Sequence, residues 1–560
     1  MITEDCEMNK LRMQSIPSNA STVYSDEKLV SKALDLMDRG QHKQALTILD
    51  GVIAKKPRHY LAALNRGVCL SKVGRLKEAA KQFYSVHQIV PEDLNVLQLC
   101  GESHLAAGHL NLAIEFFKRC VKRNPAEVSN WTNLSIAAGE SGHLTEAVMY
   151  ATQALSLAPL EASSYINLGT TLLSLNRLNE AEQAYETALA IDPNNVIASG
   201  NLATVLDKRG DYLKAIECYD STYLRMDANS QDAKVLLYRS SFPYLGAGKL
   251  REGWKRYEFG FCSNDIASRH PKRHFNVPQW NGESLERQQR LLIWGEQGLG
   301  DELTFFGLLK EVQSLCNDVT IECDSRLVSL LQRSFPNWVI RPTNLKKEIS
   351  PVECDFHIPA GSLMGIFRNE ISDFEKFKPY LKPNINLEQE FAHRMKSQAG
   401  KKLVGICWRS GKIDARRIEN YLPLEDFADI LTDPKIVVVN LQYGDCEQEL
   451  RAVEKAFDIE ILRWKDIDLK NDQEALAALI NNLDAVISAG TAVAPMALAV
   501  GAPLLWFGLR GWTWFGQEEY PWAGNMKYIA PENNQQLRSA LPKIGQALQN
   551  LLNNSENHGR

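Results

Sequence analysis

Hydrophobic positions follow two different rhythms along this chain. From about residue 26 to residue 261, small and apolar residues recur on a 34-residue ruler. One series, Ala33, Gly67, Gly101, Ser135, Gly169 and Ala203, holds only small residues. A second is alanine throughout, at Ala45, Ala79, Ala113, Ala147, Ala181 and Ala215, with the aromatic residues Phe83, Phe117, Tyr185 and Tyr219 four places after four of its members. Gly40, Gly74, Gly108, Gly142, Asn176 and Gly210 keep the same interval, as do Pro57, Pro91, Pro125, Pro159 and Pro193. Beyond residue 290 the rhythm changes to short buried runs separated by Gly-containing turns and helical stretches. Examples are Leu291-Leu292-Ile293-Trp294, Leu403 to Trp408, Ile436 to Val439, Ala485 to Ser488 and Leu504 to Phe507.

A 34-residue period with small, Gly, Ala and Pro marks at fixed offsets predicts tetratricopeptide repeats, each a helix–turn–helix unit. The glycines sit at the turn between helices A and B, where a left-handed backbone is needed; asparagine at 176 is the next best residue there. The prolines stop helix B. Six units begin near Asp26, Tyr60, Leu94, Val128, Ala162 and Val196. A degenerate seventh hairpin ends in the run from Gly248 to Trp254.

The predicted organisation is a loose polar tail (1–25), an all-α tetratricopeptide solenoid (26–261), a linker (262–289) and two α/β Rossmann-like domains (290–398 and 399–560) with a C-terminal helix. Within the solenoid, Asn65, Asn133, Asn167 and Asn201 share one position of helix A. An amide offers donor and acceptor together, so this row can pair with the backbone of an extended peptide. The alternative is bonding within each hairpin.

Composition narrows the classes. The 560 residues carry a net charge of −5 with dispersed Lys and Arg, which gives no electrostatic footprint for nucleic acid. The 11 cysteines lack CxxC and metal spacings and read as reduced thiols, and the tail has no apolar core of a signal peptide, so the expectation is cytoplasmic. The stretch Ala485 to Leu509 is uncharged and long enough to span a membrane, but Gly490, Pro495, Gly501 and Pro503 divide it into strand, helix and strand, so no membrane span is expected.

Three segments carry a resemblance. Trp294-Gly295-Glu296-Gln297-Gly298-Leu299-Gly300-Asp301, Val404 to Gly411 and Leu483 to Val493 together resemble heptosyltransferase-like glycosyltransferases. The domain order is similar to that of protein O-GlcNAc transferase and flagellin glycosyltransferases. The resemblance implies the two-domain GT-B architecture, with the acceptor on the first α/β domain and a nucleotide-sugar on the second. It implies an inverting, metal-independent protein O-glycosyltransferase, with no cofactor beyond the nucleotide-sugar and a polypeptide acceptor, flagellin-like among others, held by the repeats. It also favours peptide contact for the asparagine row.

For the sites, Asp301 matches the family's general base in a GxGD turn whose glycines are Gly298 and Gly300; an N-cap is the alternative role. Glu296 is a second candidate base. Gly490, Thr491 and Ala492 open a helix after a strand and offer N–H groups to phosphate. Arg409, Ser410 and Lys412, with Arg416 and Arg417 behind them, form a basic loop suited to a diphosphate. Gln442 matches a donor-side strand end. Trp506, Trp512, Trp514 and Trp522 can stack a base or sugar, or pack between domains.

The family pattern places Asp at Gly490 and His at Pro495, and their absence here removes two polar side chains from the donor cleft. That departure favours an alternative, a non-catalytic protein-binding scaffold with a degenerate transferase module. A third option is a lipid-linked or polysaccharide acceptor. Asp466-Ile467-Asp468 spells a metal-binding DxD, but its setting predicts loop and cap duty. His270 and His274 sit in the linker around Pro271, unsuited to a metal pair, though either can reach the cleft as an acid or base.

Overall fold

The computed structural model describes residues 23–262, 268–345, 354–411, 420–522, 525–532 and 536–557. The chain gathers into two compact units, 1–193 and 194–560.

The first unit is a run of helix pairs: α1 (Val23–Asp38) with α2 (His42–Lys55), α3 (Tyr60–Lys72) with α4 (Leu76–Ile89), α5 (Leu94–Ala106) with α6 (Leu110–Arg123), α7 (Val128–Glu140) with α8 (Leu144–Leu157), and α9 (Ala162–Ser174) with α10 (Leu178–Ile191). The turn residues adopt the left-handed backbone their spacing predicts, from φ 57° at Asn176 to φ 86° at Gly142. The small series and the aromatic series meet face to face. A Cβ on Gly67 would lie 2.7 Å from the Phe83 ring, one on Gly101 2.7 Å from Phe117, and one on Gly169 2.8 Å from Tyr185. At the fourth unit the small-series residue is Ser135, and position 151, 16 residues on, holds alanine where Phe83, Phe117 and Tyr185 stand in the other units. The Ser135 hydroxyl instead donates to the Ala147 carbonyl at 2.7 Å. The two positions are thus matched in volume, as close packing demands.

The second unit begins with α11 (Val196–Arg209), α12 (Tyr212–Tyr223), α13 (Gln231–Gly246) and α14 (Leu250–Tyr257). Its two sheets are wholly parallel. The first has β1 (Arg290–Trp294), β2 (Asp318–Cys323), β3 (Val339–Pro342) and β4 (Phe356–Pro359) in the order β3-β2-β1-β4. The second has β5 (Lys402–Cys407), β6 (Ile436–Asn440), β7 (Ala485–Ser488), β8 (Leu504–Phe507) and β9 (Met526–Ile529) in the order β6-β5-β7-β8-β9. With the first sheet come α15 (Leu299–Phe305), α16 (Leu309–Val312), α17 (Val328–Ser334) and α18 (Leu363–Phe367). They are followed by α19 (Ile385–Arg394), α20 (Ala428–Leu431), α21 (Glu447–Phe457), α22 (Gln473–Asn481), α23 (Val493–Val500) and α24 (Leu541–Asn557). One continuous apolar core takes in both sheets, among its members Leu291 and Ile293 from the first and Val486 and Leu504 from the second. Among the described residues no helix is long and apolar enough to cross a membrane; the uncharged stretch resolves into β7, α23 and β8.

Two local expectations differ from the structure. The sequence from about Glu302 to Leu315 reads as a single helix, but α15 starts at Leu299 and gives way to a 3-10 turn at Phe306–Leu308. There the Tyr380 hydroxyl donates to the Leu303 carbonyl at 2.6 Å, and Phe377 stands 2.8 Å from where a Gly307 Cβ would be. The helix predicted from Thr491 starts at Val493.

Candidate functional site

In each sheet the strand order reverses at one point, between β1 and β4 and between β5 and β7. Parallel sheets bind ligands outside the carboxyl ends of their strands at such points. The turn after β1 and the turn after β7 both lie there, and they touch: a Cβ on Gly300 would stand 3.6 Å from the Ala492 Cα.

The turn after β1 is shaped by its carboxylates. Gly295 has no room for a side chain, because the Glu302 carboxyl fills that space: a Cβ would overlap Oε1, while Glu302 Oε2 accepts the Asp324 N–H at 2.8 Å. Burial pushes the Glu302 carboxyl up to about 8. Glu296 is also buried. Its two oxygens take the Arg269 guanidinium, with Nε–Oε2 at 2.7 Å, and Oε1 accepts the Gly361 N–H at 2.8 Å. Glu296 is therefore a framework anion, which corrects its place as a second candidate base. Gln297 adopts a left-handed backbone, φ 66°, and its N–H donates to the His270 carbonyl at 2.6 Å.

Gly298 occupies the N-cap of α15, so Asp301 stands three residues later, inside the first turn. Its carboxylate receives the Gly298 N–H, which is one half of a capping box. Asp301 keeps a solvent-exposed face. Desolvation by the protein packed around the rest of it, and then the nearby Glu296 charge, raise its carboxyl to about 6 against the pull of the N–H bonds and of His270.

Across the contact, Thr491 is buried, and its hydroxyl lies 3.4 Å from Cys407 Sγ and 3.3 Å from Ser488 Oγ and accepts the Val493 N–H. Its side chain fastens β5, β7 and α23 together. Gly490 is exposed, and the N–H groups of Gly490 and Ala492 have no partner among the described residues. Pro495 falls in the first turn of α23, where a missing N–H is harmless.

The basic loop is arranged otherwise than its sequence suggests. Arg409 turns its guanidinium onto Glu449 of α21, Nε to Oε2 at 3.0 Å, and donates through Nη2 to the Asp445 carbonyl at 3.1 Å. Ser410 is buried. Gln442 is buried too: its Oε1 accepts the Arg409 N–H at 3.0 Å and its Nε2 donates to the Tyr443 carbonyl at 3.1 Å. Arg409 and Gln442 thus tie the end of β5 to the segment after β6, and the Arg409 guanidinium is held there by Glu449 and the Asp445 carbonyl. Lys412, Arg416 and Arg417 lie outside the described residues.

The tryptophans pack between elements. Trp512 lies against Phe242 and Trp254, with centroids 5.6 and 6.2 Å away, and Trp522 meets Phe374 edge-on at 5.0 Å. Asp466 pairs with Arg394 at 2.7 Å, and Asp468 accepts the Lys470 N–H at 3.0 Å, the loop and cap duty expected of them.

Of the four asparagines, Asn65 donates to its own helix at the Leu61 carbonyl, 2.8 Å. Asn133 and Asn167 in the first unit, and Asn201 in the second, are half-buried, and none has a side-chain hydrogen bond among the described residues. Sequence reasoning missed Glu302 and Arg269. The adjacency of Glu302 to Asp301 was a signal; Arg269 carried none, since its partner lies 27 residues away.

Comparison with known proteins places the repeats. Residues 27–139 match the family described as Psidin, N-terminal TPR repeats region, and residues 162–195 and 184–217 match two tetratricopeptide repeat families. The chain is 29% identical over 307 residues to Protein FlbA of Caulobacter vibrioides, covering 52% of this chain and 51% of that protein. It is 29% identical over 109 residues to BBSome complex member BBS4 of Mus musculus, covering 20% of each. The chain therefore spans about half the length of the first of these relatives and a fifth of the second. Among solved structures, a tetratricopeptide repeat protein from Parabacteroides merdae is similar at 14% identity and TM-score 0.40, over 44% of this chain and 95% of that one. The thermophilic TPR protein TTC0263 of Thermus thermophilus is similar at 20% identity and TM-score 0.27, over 32% and 98%. The family matches identify the N-terminal helices as tetratricopeptide repeats, a scaffold class whose extended surfaces commonly hold protein partners.

Proposed function

We propose that this chain is a cytoplasmic protein O-glycosyltransferase of the GT-B architecture. In this reading the repeats hold a polypeptide, flagellin-like among the candidates, and the paired α/β domains transfer a sugar from a nucleotide-sugar to its Ser or Thr hydroxyl. The observation that carries the reading is the contact of Gly300 with Ala492, which sets an accessible carboxylate beside a helix start at two strand-order reversals. Asp301 is the general base. A carboxyl raised to about 6 is ionised at neutral pH yet basic enough to take a proton from a hydroxyl as the new bond forms. The sugar is displaced with inversion, and the Gly490 and Ala492 N–H groups with the start of α23 receive the charge that develops on the leaving diphosphate.

A second reading, a protein-binding scaffold with a degenerate transferase module, is favoured by two observations. Arg409 is engaged by Glu449, and Gly490 and Pro495 bring no polar side chain to the cleft. A thermal-shift screen with UDP, GDP, ADP, CMP and their common sugars separates the two. A nucleotide at about 100 times its Kd should stabilise a transferase by about 2.7 kcal/mol. No shift with any of them supports the scaffold. For the transferase reading, Asp301→Asn should abolish transfer while keeping the nucleotide shift; full transfer by that variant would remove Asp301 from the base role.

A further inference from the structure

The fourth repeat, α7 with α8, is built unlike its neighbours at positions 130, 135 and 151. At the third position of helix A, the second to sixth repeats bury Ala62, Val96, Asn130, Ser164 and Ala198 in turn. Asn130 is fully buried, yet neither its Nδ2 nor its Oδ1 has a partner among the described residues. The Ser164 hydroxyl of α9 is buried without a partner as well. A buried amide or hydroxyl that has given up water and gained no bond works against the fold.

The apolar side of the same pair is thin. The buried residues of α8 are Ala147, Ala151 and Ala154, and of the buried apolar residues of α7 only Leu134 is larger than alanine. The helices α4, α6 and α10 seat a ring at the place of Ala151, namely Phe83, Phe117 and Tyr185. Ser135 and Ala151 replace that contact of glycine with ring, but a methyl takes far less apolar surface out of water than a phenyl ring does. The hydroxyls of Ser135 and of Thr171 on α9 lie 3.4 Å apart, so the side facing the fifth repeat is polar too.

Repeat arrays are held by the folding of each unit and by its contacts with the next, so the weakest unit opens first. We infer that the fourth repeat is a hinge of the solenoid, where α7 and α8 loosen while the repeats before them stay folded. Its position matters for a bound partner. Asn133 stands on α7, three residues after Asn130, and Asn167 stands on α9. Movement at the hinge changes the spacing of these two amides, which lets the row follow extended polypeptides that differ in course. The hinge needs only the repeats and holds whether or not the α/β domains transfer a sugar.

Amide hydrogen exchange of the full chain, read by peptide-resolved mass spectrometry, tests it. After correction for intrinsic rates, α7 and α8 should exchange at least about tenfold faster than α3 to α6 and α10, the size expected of one orphaned buried group. Copying the third repeat into the fourth, with Asn130→Val, Ser135→Gly and Ala151→Phe after Val96, Gly101 and Phe117, should bring α7 and α8 to the rate of their neighbours. Asn130→Val alone is the gentler change and should give part of that slowing even if the triple variant does not fold. Equal protection of α7 and α8 with α5 and α6 in the parent overturns the hinge. Fast exchange that persists in Asn130→Val overturns it as well. So does a slowing shared equally by α3 to α6, which would mean that the repeats open as one block.

Discussion

Gly300 lies against Ala492 with no space to spare for a larger side chain: its Cβ would stand 3.6 Å from the Ala492 Cα and 3.9 Å from the Ala492 Cβ. A methyl fits at ordinary contact, and anything branched pushes the turn after β1 away from the turn after β7. Gly300→Ala should therefore behave like the parent protein in stability and nucleotide response. Under the proposed transferase function, Gly300→Val should lose transfer while the nucleotide shift survives, because the Asp301 carboxylate is displaced while the turn after β7 stays intact. Equal activity in both variants would show that this contact does not set the reacting geometry.

The Arg269–Glu296 pair is fully buried on both sides, and such pairs are costly to halve. Glu296→Gln leaves the guanidinium with only Glu258 as a counter-charge. Breaking a buried pair by removing one partner costs about 3–5 kcal/mol, and the retained Glu258 contact at 3.1 Å places this variant toward the lower figure. Denaturant unfolding of the full chain measures it. A loss below 1 kcal/mol would mean that the segment around Arg269 is held mainly by its backbone and aromatic contacts.

Asn133 in α7 and Asn167 in α9 share one position of helix A and have no side-chain hydrogen bond among the described residues. They are half-buried, so alanine removes some contact but no bond, and each substitution in the double alanine variant should cost no more than about 1 kcal/mol. If these amides grip an extended peptide, transfer to a polypeptide should fall, while slow hydrolysis of the nucleotide-sugar without acceptor stays constant. Adding Asn201→Ala should deepen the loss. Unchanged transfer in the triple variant would point to a saccharide acceptor.

Local rules carried the repeats. A left-handed turn needs glycine or asparagine, and a ring in van der Waals contact needs a bare backbone beneath it, so Gly142, Asn176 and the Gly67–Phe83 pair were readable without coordinates. The buried runs of β1, β5, β6, β7 and β8 announced themselves for the same reason, being apolar on both faces. The strands β4 and β9 are four residues long and only partly buried, and their composition gave no such run. What failed to show was long-range pairing. Arg409 looked like a free cation because Glu449 is 40 residues away, and Gly295 looked like one more loop glycine although the Glu302 carboxyl occupies its side-chain space. Charge patterns reveal which groups exist; which ones neutralise each other is decided by the sheet order.

The two adjacent acids of α15 should leave a signature in the pH dependence of stability. Asp301 titrates at about 6 in the folded protein against an ordinary 3.8, and Glu302 at about 8 against 4.5. Between roughly pH 4 and pH 8 these two groups in the folded state therefore hold protons that the unfolded chain has released. Their contribution to stability falls as pH rises through that window and levels off above it. The half-buried His357, lowered to about 4, acts in the opposite sense at the acid end. The step from Glu302 is the larger, because Glu302 is buried whereas Asp301 keeps a face in water, where screening weakens the effect. Glu302→Gln should remove the part of the slope that persists up to pH 8, and Asp301→Asn the part that ends near pH 6. Both variants should be more stable than the parent at pH 8.5 and converge toward it near pH 4. The difference between variant and parent urea midpoints across the series isolates each acid from all others. Difference curves flat from pH 4 to 8.5 would mean that neither carboxyl is held away from its ordinary titration.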